Sequence, residues 1–134
     1  MDESLLAAYR AAAYRVRLRQ GGWATIRIDA PLPTALVAVA RERPWGFITA
    51  WNPHSQVRSR GWNREAQHRL LITLRDLPST QRVCAGVGTG TGWKEPSLFV
   101  IGPDTANLDT VARNFEQNAY VHGYGEGIAQ LRLL

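Results

Sequence analysis

Residues 14–29, YRVRLRQGGWATIRID, decide the architecture. Tyr14, Val16 and Leu18 alternate with Arg15, Arg17 and Arg19, and after Gln20-Gly21-Gly22 the alternation resumes with Ala24, Ile26 and Ile28 opposite Thr25, Arg27 and Asp29. A period of two is what a strand with one buried face requires. The stretch therefore predicts a β-hairpin with an apolar face and a strongly basic one.

Helical spacing flanks this hairpin. Leu5, Leu6, Ala8 and Tyr9 follow Ser4, a candidate N-cap, and predict a short helix to Ala12. Pro31 and Pro33 end the second strand, Thr34 is placed to cap a helix over Ala35–Arg43, and Pro44 stops it. Trp45–Trp51 is short, apolar and rich in β-formers, so it reads as a largely buried strand ending at Asn52-Pro53. His54–Gly61 carries no periodic apolar residue and reads as a loop that is mobile when empty. Asn63 is expected to cap a helix reaching about Leu77, with Leu70, Leu71, Leu74 and Leu77 on one face. Arg82–Val87 and Ser97–Ile101 read as strands around a long glycine-rich loop, then a helix runs to about Phe115, and strands Asn118–His122 and Ile128–Leu133 close the chain. The expectation is one α+β domain over residues 1–134, a mixed and mostly antiparallel sheet with about four helices packed on it.

Composition narrows the class. Hydrophobic content of 45% and charged content of 20% are ordinary for a soluble globule, and no apolar run approaches the ~20 residues of a membrane span. The acidic start, Asp2-Glu3, lacks the features of a secretory signal, which predicts a cytoplasmic protein with no membrane partner. Cys84, the single cysteine, has no internal partner and reads as a small core residue. The chain is basic, at +5, and all of its sixteen cationic side chains except Lys94 are arginine. That suits an anion-friendly surface without naming a partner.

Glu95 stands between Trp93 and Pro96 just before an apolar strand, where desolvation would raise its pKa into the range useful for a general acid or base. The competing reading is a carboxylate that fixes the loop by accepting hydrogen bonds. Gly86, Gly88, Gly90 and Gly92 invite an anion-cradle reading, yet the run leads into a strand and not the helix that a phosphate loop or dinucleotide fingerprint demands. His54, His68 and His122 have no metal-ligand spacing, so no metal and no cofactor is expected. His54 alone, in its loop, is a secondary catalytic candidate.

Four elements in order, Thr49-Ala50-Trp51-Asn52-Pro53-His54-Ser55, then Asn63, then Trp93-Lys94-Glu95-Pro96-Ser97, then Phe115-Glu116-Gln117-Asn118-Ala119, resemble a family of small bacterial proteins known only as a domain of unknown function. The resemblance runs from about Tyr9 to Leu131. It carries no activity, substrate or cofactor, but it implies that Asn52, Ser55, Asn63, Glu95, Ser97, Gln117 and Asn118 form one polar cluster.

Three readings of function stay open. In the first, that cluster holds a small polar or nucleotide-like ligand, with Arg58 or Lys94 neutralising a phosphate if the ligand carries one. In the second, the arginine-faced hairpin, Arg15, Arg17 and Arg27, together with Arg58 and Arg60, binds nucleic acid. In the third, the polar network is structural and the domain binds another protein. Whether a reaction is catalysed stays open in all three.

Overall fold

The first hairpin forms where the alternation places it. In the computed structural model, which describes residues 2–134, β1 (Ala13–Arg17) pairs antiparallel with β2 (Trp23–Ile26), setting Tyr14 opposite Ile26 and Val16 opposite Ala24. Those four side chains are buried, whereas Arg17, Trp23 and Thr25 on the other face are exposed.

Ahead of it, helix α1 (Glu3–Ala11) is capped by Asp2, not Ser4: the Asp2 carboxylate accepts from the Ser4 N–H at 2.6 Å. Asp outbids Ser here because its charge also meets the positive end of the helix. Helix α2 spans Thr34–Ala40, shorter than its apolar spacing predicts, because Arg41 turns to φ 54° and breaks the ladder; Pro33 holds the cap position and no side chain bonds there. Pro44 does not merely stop a helix. It opens β3 (Pro44–Ile48).

Helix α3 (Arg60–Asp76) begins four residues earlier than expected, capped by Ser59, whose hydroxyl accepts from the Trp62 N–H at 3.2 Å. Asn63 therefore lies inside the helix, with its amide free to bond elsewhere. The largest departure is the glycine-rich run. It is strand, not loop: β4 (Arg82–Gly90) and β5 (Trp93–Ile101) pair along their whole lengths from Arg82 opposite Ile101 to Gly90 opposite Trp93, joined by a two-residue turn in which Gly92 takes φ 75°. Helix α4 (Thr105–Asn114), capped by Asp104, and strands β6 (Ala119–Tyr124) and β7 (Gln130–Leu133) follow.

The strands form one sheet in the order β2-β1-β4-β5-β3-β6-β7, every neighbour antiparallel. Isolated bridges, Ile28 with Ala129 and Pro31 with Ile128, link the segment after β2 to the one before β7, so the sheet curls until its two ends meet. Its inner face holds one core, with Tyr14, Val16, Ile26, Trp45, Phe47, Phe99, Ile101 and Val121 packed with Leu36 and Ala40 of α2. Cys84 packs half-buried against it, and burial pushes its thiol up, as an inert core thiol requires. On the outer face, Ile48, Leu98, Val100 and Tyr120 pack under Ala66, Leu70 and Leu74 of α3 and Leu108, Val111 and Ala112 of α4. Asp109 fastens α4 to the last strands, accepting from Arg132 Nε at 3.0 Å, Arg132 Nη2 at 2.6 Å and the Tyr120 hydroxyl at 2.7 Å. The Arg132 guanidinium is the main reason that its carboxyl falls to about 2. No helix among the described residues is long and apolar enough to cross a membrane.

Alternate glycines of β4 face inward. A β-carbon at Gly86 would lie 2.8 Å from Phe47 Cε2 and 3.1 Å from the Arg15 carbonyl oxygen, so the phenyl ring occupies the space that a side chain would take. At Gly88 the nearest atoms, of Trp93, are 3.4 Å away, which leaves room. Overpacking at Gly86 should therefore be costly. Gly86→Ala is expected to lower the urea unfolding free energy by about 1–3 kcal/mol. Gly61→Ala, in open space on the first turn of α3, should be neutral or stabilising by a few tenths of a kcal/mol. Equal effects at the two sites would contradict the packing account.

Candidate functional site

Beyond β3 the chain makes a turn that backbone preference opposes. Asn52, His54 and Ser55 all take left-handed φ, at 45°, 54° and 60°. Each such non-glycine residue costs about 1–3 kcal/mol and persists only where neighbours impose it. The side chain of Asn63 imposes the first. Its Oδ1 accepts from the Asn52 N–H at 2.9 Å while its Nδ2 donates to Asn52 Oδ1 at 2.8 Å, and that same Oδ1 accepts from the Arg58 N–H at 3.0 Å. From the other side the His54 N–H donates to the Glu116 carbonyl at 2.7 Å, and Asn118 Nδ2 donates to Ser55 Oγ at 3.1 Å. The segment expected to be a mobile loop is thus tied at five points.

This turn forms one wall of a small cavity at the mouth of the curled sheet. Asn52 and Ser55 line it, together with Glu95 and Ser97 from the inner face of β5, Gln117, Gly88, Tyr14 and Tyr9. The enclosed space is about 40 Å³, on the order of three waters. An outer recess of about 190 Å³ opens between it and α1, sharing Tyr9, Asn52, Ser55, Trp93 and Glu95 and adding Leu5 and Ala8. None of the side chains of α1 is fully buried, so that helix sits over the mouth and not in the core.

Five of the seven clustered polar residues, Asn52, Ser55, Glu95, Ser97 and Gln117, border this one space. Asn63 and Asn118 stand behind it and hold Asn52 and Ser55. Gln117 is buried, its Nε2 donating to the carbonyls of Phe115 at 3.2 Å and Trp51 at 3.4 Å, which leaves Oε1 without a protein donor. His54 is exposed outside the cavity, its Nδ1 3.4 Å from Asn118 Oδ1. The arginines of the nucleic-acid reading lie elsewhere: Arg15 and Arg17 pack on the Trp23 ring at 4.8 and 5.5 Å, Arg58 on Trp62 at 5.2 Å, Arg27 donates to the Ala11 carbonyl at 3.2 Å, and Arg60 borders a separate groove.

Glu95 governs the electrostatics. Burial alone lifts its carboxyl from 4.5 to about 7, and among the described residues no cation pairs with it. It is not the loop-fixing carboxylate of the competing reading, since no backbone or arginine donor reaches it. Burial also raises both tyrosines; for Tyr9 the Ser55 side chain opposes this and the Glu95 charge adds to it. Tyr9 and Tyr14 were invisible as site residues in the sequence, although Tyr14's place on the inward face of β1 held the clue. No group of three or more His, Cys, Asp or Glu among the described residues could hold a metal ion.

Two consequences are measurable. A carboxyl whose pKa is higher in the fold than in the unfolded chain costs stability as pH climbs from about 4.5 through 7. Glu95→Gln is therefore expected to melt above the wild type at pH 8, with the gap closing at pH 5; a variant that melts lower at both would mark Glu95 as a paired structural group. Asn63→Ala, which strips the bonds from Asn52, is expected to cost about 1–3 kcal/mol and to speed amide exchange at Asn52 and Arg58. Unchanged exchange there would deny Asn63 its positioning role.

Residues 48–120 match a family described as protein of unknown function (DUF3293). The match runs from the end of β3 into β6, taking in the Asn52 turn, α3, the β4–β5 hairpin and the Gln117-Asn118 pair, and leaving α1 and β1 outside. No curated protein and no solved structure matches the chain. With more than half of its length covered, the chain belongs to the DUF3293 family.

Proposed function

We propose that this protein binds a small, polar, uncharged or cationic ligand at the mouth of the curled sheet, with Glu95 as its anchor. The observation that carries this reading is a half-buried carboxyl with no partner among the described residues, in a cavity that also presents Ser97, Gln117 Oε1 and the Asn52 turn. A structural network would satisfy its own members. Here the strongest acceptor is left open, and such a group is worth its cost only where something else supplies the donor.

The dimensions restrict what enters. A space for about three waters admits a head group such as an ammonium, a carboxamide or an amidine, and the rest of the molecule lies in the outer recess against Trp93, Leu5 and Ala8. No lysine or arginine borders either space. Lys94 points to the opposite face of β5 and Arg58 lies on Trp62, so a phosphate would have no counter-charge at this site. The geometry favours a nitrogenous donor over a phosphorylated metabolite.

Near neutrality the Glu95 carboxyl exchanges its proton readily, so it can accept a hydrogen bond from a neutral donor or charge to meet a cation. Binding of a cation should pull the carboxyl toward its charged form and release a proton at pH 6. A thermal-shift screen of small amines, carboxamides and free nucleobases, set against nucleoside phosphates, tests the reading. A nitrogenous compound is expected to raise the melting midpoint of the wild type, with affinity at least tenfold weaker in Glu95→Gln and in Gly88→Ala, whose added methyl group fills cavity space without a clash. Stabilisation by phosphates alone, or unchanged affinity in both folded variants, would overturn it.

A further inference from the structure

The outer face of the sheet carries a second feature that the cavity does not use. Along β5 the side chains alternate, so Glu95 faces inward while Lys94 and Pro96 face out with Leu98. The first half of α3 stands off from this face and leaves a groove of about 650 Å³, bordered by Arg60, Arg64 and His68 on the helix, Lys94 on the strand, and Trp51 at one end. Its floor is apolar, with Val87, Pro96 and Leu98. On its helix side Gln67 accepts from the Ala50 N–H at 2.9 Å, and its buried Nε2 has no partner among the described residues.

The groove is not closed off. Register carries the outer face from Pro96 to Val87, then to Arg15 and Thr25, so it continues across β4 onto the first hairpin, about 14 Å from β5 to β2. There Arg15 and Arg17 flank the exposed Trp23 ring. The outer-face core under α3 and α4 does not reach β1 or β2, and the outward residues of these four strands include no aspartate or glutamate. The result is one uncovered band with cations along its length and an indole at each end.

We propose that this band, from the α3 groove across to the first hairpin, binds single-stranded nucleic acid. The cations track the phosphates, and the tryptophans offer faces on which unpaired bases stack. A duplex hides its base faces and would use only the charges. The groove beside α3 suits an extruded base better than a smooth helical backbone. The Glu95 cavity lies on the other face of the same strands, with Trp51 alone bordering both spaces.

Fluorescence anisotropy with a labelled oligothymidylate of about twelve nucleotides tests it on the full chain. Binding is expected at low salt, with log affinity falling by about 0.7 per phosphate contact for each unit of log salt. Arg64→Gln with Lys94→Gln at the groove, and separately Arg15→Ser with Arg17→Ser at the hairpin, should each weaken it at least tenfold while every variant still unfolds in one cooperative transition. Trp23→Ala should weaken binding and Trp23→Phe restore part of it. Arg113→Ser, on α4 outside the band, should not matter. The proposal is overturned if the control weakens binding as much as the band variants, if a duplex of equal length binds as tightly, if thymidine monophosphate competes on equal terms, or if no binding is seen.

Discussion

A carboxyl on the inner face of a curled sheet, with no cation to meet it, is the constraint around which this molecule is arranged. An unpaired charge in such a place is expensive, and the protein responds by letting Glu95 hold its proton to near neutral pH. Everything close by is consistent with keeping that group partly desolvated and reachable. Gly88 on β4 leaves space opposite it, Tyr9 and Tyr14 border the same cavity, and the Asn52 turn is held in an unfavourable backbone conformation at its edge. Three left-handed residues in four positions are a standing cost that the Asn63 and Asn118 side chains offset.

The pleat of β5 separates two kinds of chemistry by one residue. Lys94 belongs to a basic outer band and Glu95 to an inner cavity that no lysine or arginine side chain borders, so adjacent positions in the chain serve opposite faces. The curl of the sheet makes this possible. Because its ends meet through the bridges at Ile28 and Pro31, the inner face is enclosed, with α2 packed into its core, while α3 and α4 cover only part of the outer face. A flat sheet of the same sequence would leave Glu95 in water with its ordinary pKa.

Much of this was legible in the chain. Strict alternation from Tyr14 to Ile26 and the three-to-four spacing of Leu70 and Leu74 were each sufficient, since a one-residue shift would put those side chains in water. The polar cluster was legible as a set of neighbours, but the division of labour within it was not. Asn63 looked like a cap because asparagine next to a helical run usually is one; only the fold shows that Ser59 takes that role and frees Asn63 for Asn52. The glycine run misled for a different reason. Glycine signals turns through its backbone freedom, and here it serves by its missing side chain, a distinction that the even spacing of 86, 88 and 90 could have revealed. Tyr9 was beyond reach, because nothing local says which face of an exposed helix closes over a distant strand.

The most direct test of the central claim is the titration of a single atom. With Glu95 assigned by comparison with Glu95→Gln, the carboxyl carbon resonance of the ligand-free protein followed by NMR from pH 3 to 9 should show its midpoint near 7. A midpoint between 4 and 5 would mean that the carboxyl is solvated or paired, and the enclosed anchor would not exist.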